Sequence, residues 1–188
     1  IGMSLMDILK TFNYGIGISM RGEGYATAIR IFDATRAANG FVFGNSATTS
    51  SGRLDRFSVS NLWFYQESVA TAGATILLSN VSNCVVDRVN TLPGSNATAP
   101  GFTASNACAP FYAIRMGSAS AAYTGMTLVD CQLVCGNVNN SAPLFLGGPI
   151  GCGGVTVDRS GLIGCYEPKR GNSYGDTSTV GIYVLCEL

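Results

Sequence analysis

The chain has 188 residues, with 11 basic and 11 acidic side chains, no histidine and a formal net charge of +0. Only 12% of residues are charged, against about 25% in ordinary globular domains, and no basic excess points to nucleic acid or an anionic membrane surface. Mean hydropathy is +0.28, yet no run approaches the roughly 18 apolar residues of a membrane-spanning helix, so no membrane insertion is expected.

The opening segment, "IGMSLMDILK", has neither a basic n-region nor a cleavage site and so is not a signal peptide. It reads as the interior of a longer polypeptide. Within it, Leu5, Ile8, Leu9 and Phe12 recur at i, i+3, i+4 and i+7, which predicts a short helix in an entry segment over 1–15. Downstream the pattern changes. Apolar runs of three to five residues alternate with Gly, Ser, Thr, Asn and Ala, the signature of short strands and tight turns. Four segments align by their first residues: "FSVSNLWF" from 57, "CVVDRVNT" from 84, "MTLVDCQL" from 126 and "VTVDRSGL" from 155. Apolar residues fall at the first, third and mostly the eighth places. The fifth place is always polar: Asn61, Arg88, Asp130 and Arg159.

The starts are 27, 42 and 29 residues apart, close to the roughly 20–30 residue scale of solenoid repeats. The long interval holds "TLPGSNATAPGFTASNACAP", a loop insertion over 92–110 with room for one irregular extra coil. A last apolar run, "VGIYVLCEL", adds a further rung. The expected fold is therefore one all-β domain, 1–188, a parallel solenoid whose equivalent residues stack about 4.8 Å apart. The polar fifth place marks a corner, where Gly and Asn supply unusual backbone angles. A hairpin-built sandwich fits less well, because the sole Asn-Gly pair, Asn39-Gly40, lacks flanking strands that would pair.

The seven cysteines have no paired spacing, which argues against a disulfide framework. The closest pair, Cys131 and Cys135, would lie about 13 Å apart on a strand, too far for a disulfide. Core packing of reduced thiols is expected, consistent with assembly in a cytoplasm. Without imidazole, zinc would need a cluster of four cysteines. No acidic cluster suggests calcium, and "RGEGYAT" lacks the Lys-Ser/Thr of a phosphate loop. Neither metal nor cofactor is expected.

One segment carries a family likeness. In "GISMRGEGYATAIRIFD", Ile18 and Met20 precede Gly22-Glu23-Gly24, followed by Thr27, Ile29 and Ile31. This resembles the opening coils of pectate-lyase-type right-handed parallel β-helices, with "NGFVFGN" as a next strand and "DRFSVSNLWF" as the first regular coil. The likeness spans 17–163 loosely, and its motifs are structural. The acidic N-terminal helix usual in that family is absent from this sequence. Within the superfamily, the Ala, Ser, Gly, Asn and Thr content and the unpaired cysteines are most similar to bacteriophage tailspikes, homotrimers that bind or cleave bacterial surface polysaccharide. Secreted polysaccharide lyases and glycosidases are the other group. The resemblance thus implies a virion-tail location, contact with other tail proteins and a surface-polysaccharide partner. The alternatives are a secreted depolymerase and a non-catalytic structural or adhesin β-helix.

Glycoside hydrolysis requires two carboxylates, about 5–5.5 Å apart for retention and about 6.5–9.5 Å for inversion. Asp87 and Asp158 share an outward column with Val129 between them, so adjacent coils would set them about 10 Å apart. Glu67 and Glu167 are further carboxylates near coil ends. The competing interpretation is structural: Arg88, Asp130 and Arg159 alternate in sign down the corner column, with Asp87 and Asp158 beside them, as a self-neutralising ladder. Arg88 and Arg159 are also candidates for saccharide contact. Alternation places Trp63 and Tyr65 outward beside Gln66 and Glu67, as a sugar-stacking pair, a trimer seam or a loop-covered patch. Tyr112 and Tyr123 carry the same ambiguity.

Overall fold

The computed structural model describes residues 18–32, 35–44, 53–94, 108–117, 123–136, 141–148, 153–163 and 182–186. The helix expected near the start, the middle of the 92–110 insertion (95–107) and Glu167 lie outside them. Fifteen strands follow in chain order: β1 (Ile18–Arg21), β2 (Ala28–Ile31), β3 (Phe41–Gly44), β4 (Leu54–Asp55), β5 (Phe57–Gln66), β6 (Ala74–Ser79), β7 (Val81–Ser82), β8 (Val85–Pro93), β9 (Tyr112–Met116), β10 (Tyr123–Val129), β11 (Gln132–Val134), β12 (Ala142–Gly148), β13 (Gly153–Asp158), β14 (Gly161–Ile163) and β15 (Ile182–Cys186). A 3₁₀ turn, Gly24–Ala26, joins β1 to β2.

The strands form two parallel sheets, one of 10 strands and one of 5, and the chain alternates between them. The larger sheet holds β1, β2, β4, β5, β7, β8, β10, β11, β13 and β14; the smaller is ordered β15-β12-β9-β6-β3. Among the described residues every strand-to-strand pairing is parallel. No hairpin forms at Asn39-Gly40: Gly40 N–H donates to Ala74 O, and Ala74 N–H to Asn39 Oδ1. The register matches the sequence alignment in all three steps, with Val59 opposite Val86, Val86 opposite Leu128 and Leu128 opposite Val157. Because β8 pairs directly with β10, no strand of the larger sheet comes between them; among the described residues the connection contributes β9, to the smaller sheet.

The corner column is visible in the backbone. Asn61, Arg88, Asp130 and Arg159 have φ of 53, 51, 51 and 44°. Left-handed backbone is expected of Gly and Asn, and costs other residues roughly 1–2 kcal/mol, so two arginines and an aspartate there differ from expectation. A second left-handed column runs through Arg56, Asn83, Gly125 and Gly154, five residues earlier in each pass. At Gly125 (φ +62°) the space is taken as well, since a Cβ would lie 2.7 Å from Asn83 Oδ1.

Each left-handed residue resets the alternation of side chains. Before Asn61 the inward residues are Phe57 and Val59; after it they are Leu62 and Phe64, all at most 1% exposed. The sixth place is therefore inward too (Leu62, Val89, Cys131). The resulting core columns also include Cys84, Val86, Met126, Leu128 and Leu133, and meet Phe43, Ile76, Leu78, Ile114, Met116 and Leu144 from the smaller sheet. Burying about 25 cal/mol per Å² of apolar surface makes this interior the dominant stabilising element. The buried polar residue Thr91 follows Phe64 in an inward column, and its Oγ1 accepts from Val134 N–H at 2.8 Å and donates to Val134 O at 3.1 Å. Cys84 and Cys131 are free, buried thiols, and Cys108 and Cys135 are buried as well. Burial pushes the Cys84 thiol up to about 11 and raises that of Cys131.

Candidate functional site

Two outward surfaces of the larger sheet meet at the corner column. Before the corner, one column runs Ser19, Ser58, Val85, Thr127 and Thr156, and the next runs Arg21, Ser60, Asp87, Val129 and Asp158. Adjacent rungs are close enough for Ser58 Oγ to donate to Ser19 Oγ at 2.8 Å.

Asp87 and Asp158 stand in one column with Val129 between them, two strand spacings or about 10 Å apart. Each is engaged by the arginine that follows it: Arg88 Nη2 donates to Asp87 Oδ2 at 2.5 Å, and Arg159 Nη1 to Asp158 Oδ2 at 2.6 Å. Arg159 also forks onto Asp130, with Nε–Oδ1 at 2.8 Å and Nη2–Oδ2 at 3.1 Å. That donation by Arg159, with the nearby charges of Arg159 and Arg88, holds the Asp130 carboxyl below the usual carboxylate range. The same contacts raise the Arg159 guanidinium. The charges thus alternate down the corner, and the ladder neutralises itself. Exposed pairs of this kind contribute about 0–1 kcal/mol each. Their clearer effect is to occupy the carboxylates and guanidinia that catalysis or saccharide contact would use.

Glu67 is placed differently. It is buried and paired with Arg30 from the neighbouring rung, while the Arg30 guanidinium also lies 5.7 Å from the Tyr65 ring centroid. The predicted carboxylates are therefore not brought together: Glu67 belongs to the end of β5, Asp87 and Asp158 to the column before the corner.

After the corner, Trp63 and Tyr65 take the outward positions of β5 and are half-buried. Trp63 lies between Ala28 and Asn90, and Asn90 is followed by Gln132. An indole, a carboxamide and a second carboxamide thus succeed each other at about 4.8 Å. Tyr65 is flanked by Arg30 and Leu92. At the corner in the middle of β5, an open depression of about 560 Å³ is lined by Arg21, Gly22, Glu23, Gly24 and Asn61. The apolar and amide groups of this surface suit stacking on a ring and hydrogen bonding to hydroxyls, with no proton transfer required.

Trp63 and Tyr65 are the residues that strand alternation points to; Asn90 and Gln132 join them only through the register. Their signal was present, since both occupy the seventh place of aligned segments. Tyr123 is buried, and Tyr112 packs between Phe111 and Phe145 with ring centroids 4.6 and 4.7 Å away. Among the described residues, no group of three or more His, Cys, Asp or Glu is arranged to hold a metal ion. No protein-family model, curated protein or solved structure matches this chain.

Proposed function

We propose that this chain is a right-handed parallel β-helical segment of a bacteriophage tailspike, carried as a homotrimer on the virion tail beside other tail proteins, that binds bacterial surface polysaccharide. The alternation of one chain between two parallel sheets, at a fixed register with left-handed corners, supports the β-helical part. The observation that carries the binding part is the outward column of Trp63, Asn90 and Gln132 beside Tyr65. It offers an aromatic platform and amide groups at a constant rise, the arrangement a chain of sugar rings requires.

Binding is favoured over cleavage within these residues. Asp87 and Asp158 are about 10 Å apart, beyond the roughly 6.5–9.5 Å of an inverting pair, and both are tied to arginines. Incubation with capsular polysaccharide or lipopolysaccharide tests this, with retention on the immobilised glycan and released reducing ends measured together. Retention without release is expected. Release that disappears in Asp87→Ala or Asp158→Ala would overturn the non-catalytic assignment, and absence of retention on every glycan tried would overturn the binding one.

A further inference from the structure

The corner depression lined by Arg21, Gly22, Glu23, Gly24 and Asn61 keeps polar groups that the rest of this face has spent. Arg30, Arg88 and Arg159 are each paired with a carboxylate. Among the described residues, the side chains of Arg21, Glu23 and Asn61 enter no ion pair or hydrogen bond. Arg21 and Glu23 are both exposed, of opposite sign and two residues apart, yet they do not pair. The concavity depends on a close backbone approach: Gly22 N–H donates to Ser60 O at 2.9 Å, and a Cβ at Gly22 would lie 2.4 Å from Asn61 O. Thr27 ties the wall of the depression to the aromatic platform. Its Oγ1 accepts from Glu23 N–H at 2.8 Å, and its carbonyl accepts from Trp63 N–H at 3.1 Å. Asn61 precedes Trp63 by two residues on β5, about 7 Å along the strand.

The column of Trp63, Asn90 and Gln132 runs from strand to strand, so a glycan lying on it passes beside the depression. A side group reaches the depression; the main chain does not. The chemistry of the lining selects that group. A guanidinium with its donors unspent matches a carboxylate through two parallel hydrogen bonds. Glu23 adds a negative charge to the same lining, which disfavours a doubly charged phosphate by like-charge repulsion, and its oxygens accept from hydroxyls. The Asn61 carboxamide both donates and accepts. One cation, one acceptor and one amide around a single space complement a carboxylate flanked by hydroxyls. We infer that the corner depression is a subsite for a carboxylate-bearing sugar branch, with Arg21 on the carboxylate and Glu23 and Asn61 on the neighbouring hydroxyls, while the main chain rests on Trp63. The polysaccharide bound is then a branched, acidic one. This rests on the glycan-binding reading above and adds to it the class of branch.

Titration calorimetry on the 188-residue chain tests the inference. Three probes are compared: oligosaccharides from bacterial capsules whose branches carry a carboxylate, the same oligosaccharides with every carboxyl reduced to a primary alcohol, and oligosaccharides whose branches carry phosphate instead. The wild type is expected to bind the carboxylated form roughly fivefold or more tighter than the reduced form. Added salt should narrow that preference. Arg21→Gln should bind the two forms alike. Trp63→Ala should weaken both by a similar factor and keep the preference. Asn61→Gly, which suits the φ of 53° at that corner, removes the carboxamide and should weaken both forms. Circular dichroism with a urea midpoint establishes that each variant is folded. Equal wild-type affinity for the carboxylated and reduced forms, weakened in Trp63→Ala, would overturn the subsite while the glycan-binding reading stands. A preference that survives Arg21→Gln, or tight binding of the phosphate-bearing probe alone, would also overturn it. Binding of no probe by the wild type would overturn both.

Discussion

Val85 and Val86 are neighbours in sequence with opposite surroundings, 38% and 0% exposed. Val86 sits in the inward column between Val59 and Leu128, whose positions are fixed by the strand spacing. Val86→Ala removes about two methylene equivalents, roughly 1.6 kcal/mol at about 0.8 kcal/mol each. The surrounding rungs cannot close by half a strand spacing, so a cavity contribution of similar order adds to this. The expected loss is about 2–3 kcal/mol. Val85→Ala, on the outward face, should cost no more than about 0.5–1 kcal/mol, mostly through lower strand preference. Val157→Ala, in the same column as Val86 but at the edge, should fall between them. The assay is urea unfolding followed by the fluorescence of Trp63, the chain's one tryptophan, with a shifted midpoint at unchanged slope. Equal costs at 85 and 86 would refute the inward assignment. A loss at 157 as large as that at 86 would refute the claim that the edge rung is half exposed.

Further expectations follow from the corners and the thiols. Gly125→Ala combines a left-handed φ with a Cβ 2.7 Å from Asn83 Oδ1, and should lower stability by about 1–3 kcal/mol in the same urea assay. Asp55 accepts from Asn83 and Ser82, which holds its carboxyl below the ordinary aspartate value of 3.8; Asp130 is lowered by Arg159. A carboxyl depressed in the folded state adds stability above its unfolded value and loses it as pH falls through the folded one. Stability should therefore decline as pH drops past about 3.8, and Asp55→Asn should flatten that decline in urea midpoints measured across the acid range. Cys84, with its thiol raised to about 11 by burial, and Cys131 should resist a thiol reagent at pH 8 until urea unfolds the chain, as mapped by mass spectrometry. Prompt labelling in the native state would contradict the core placement.

Much of the larger sheet was legible because its corners are chemically distinctive. A polar residue at a fixed place, between two short apolar alternations, survives in the sequence as Asn61, Arg88, Asp130 and Arg159. The left-handed backbone at those residues explains why a simple period of two breaks there, and why Leu62 and Val89 turn inward directly after a polar residue, as Cys131 does. The smaller sheet was less legible. "ATILLS", "YAIRM" and "APLFLGG" carry no such punctuation, and Thr75, Ala113 and Phe145 are buried although they alternate with core residues, so period-two alternation gives no signal. The two aspartates fall in one column as the spacing implies, and the alternation of sign at the corner already pointed to a self-neutralising ladder; which oxygen each arginine takes depends on rotamers that spacing does not specify. Asn90 and Gln132 escaped notice because an amide becomes part of a site only when the strand beside it carries an aromatic ring.

Trp63 makes the proposed binding surface directly observable, since it is the only indole in the chain. The decisive measurement is a titration with oligosaccharides prepared from bacterial capsule and lipopolysaccharide, following Trp63 emission and heat of binding together for the wild type and Asn90→Ala, and heat of binding alone for Trp63→Ala. A saturable change in Trp63 emission that tracks the binding heat is expected, with affinity roughly tenfold or more weaker in Trp63→Ala, the order of one lost stacking contact. Binding that leaves Trp63 emission unchanged and survives both substitutions would contradict the site.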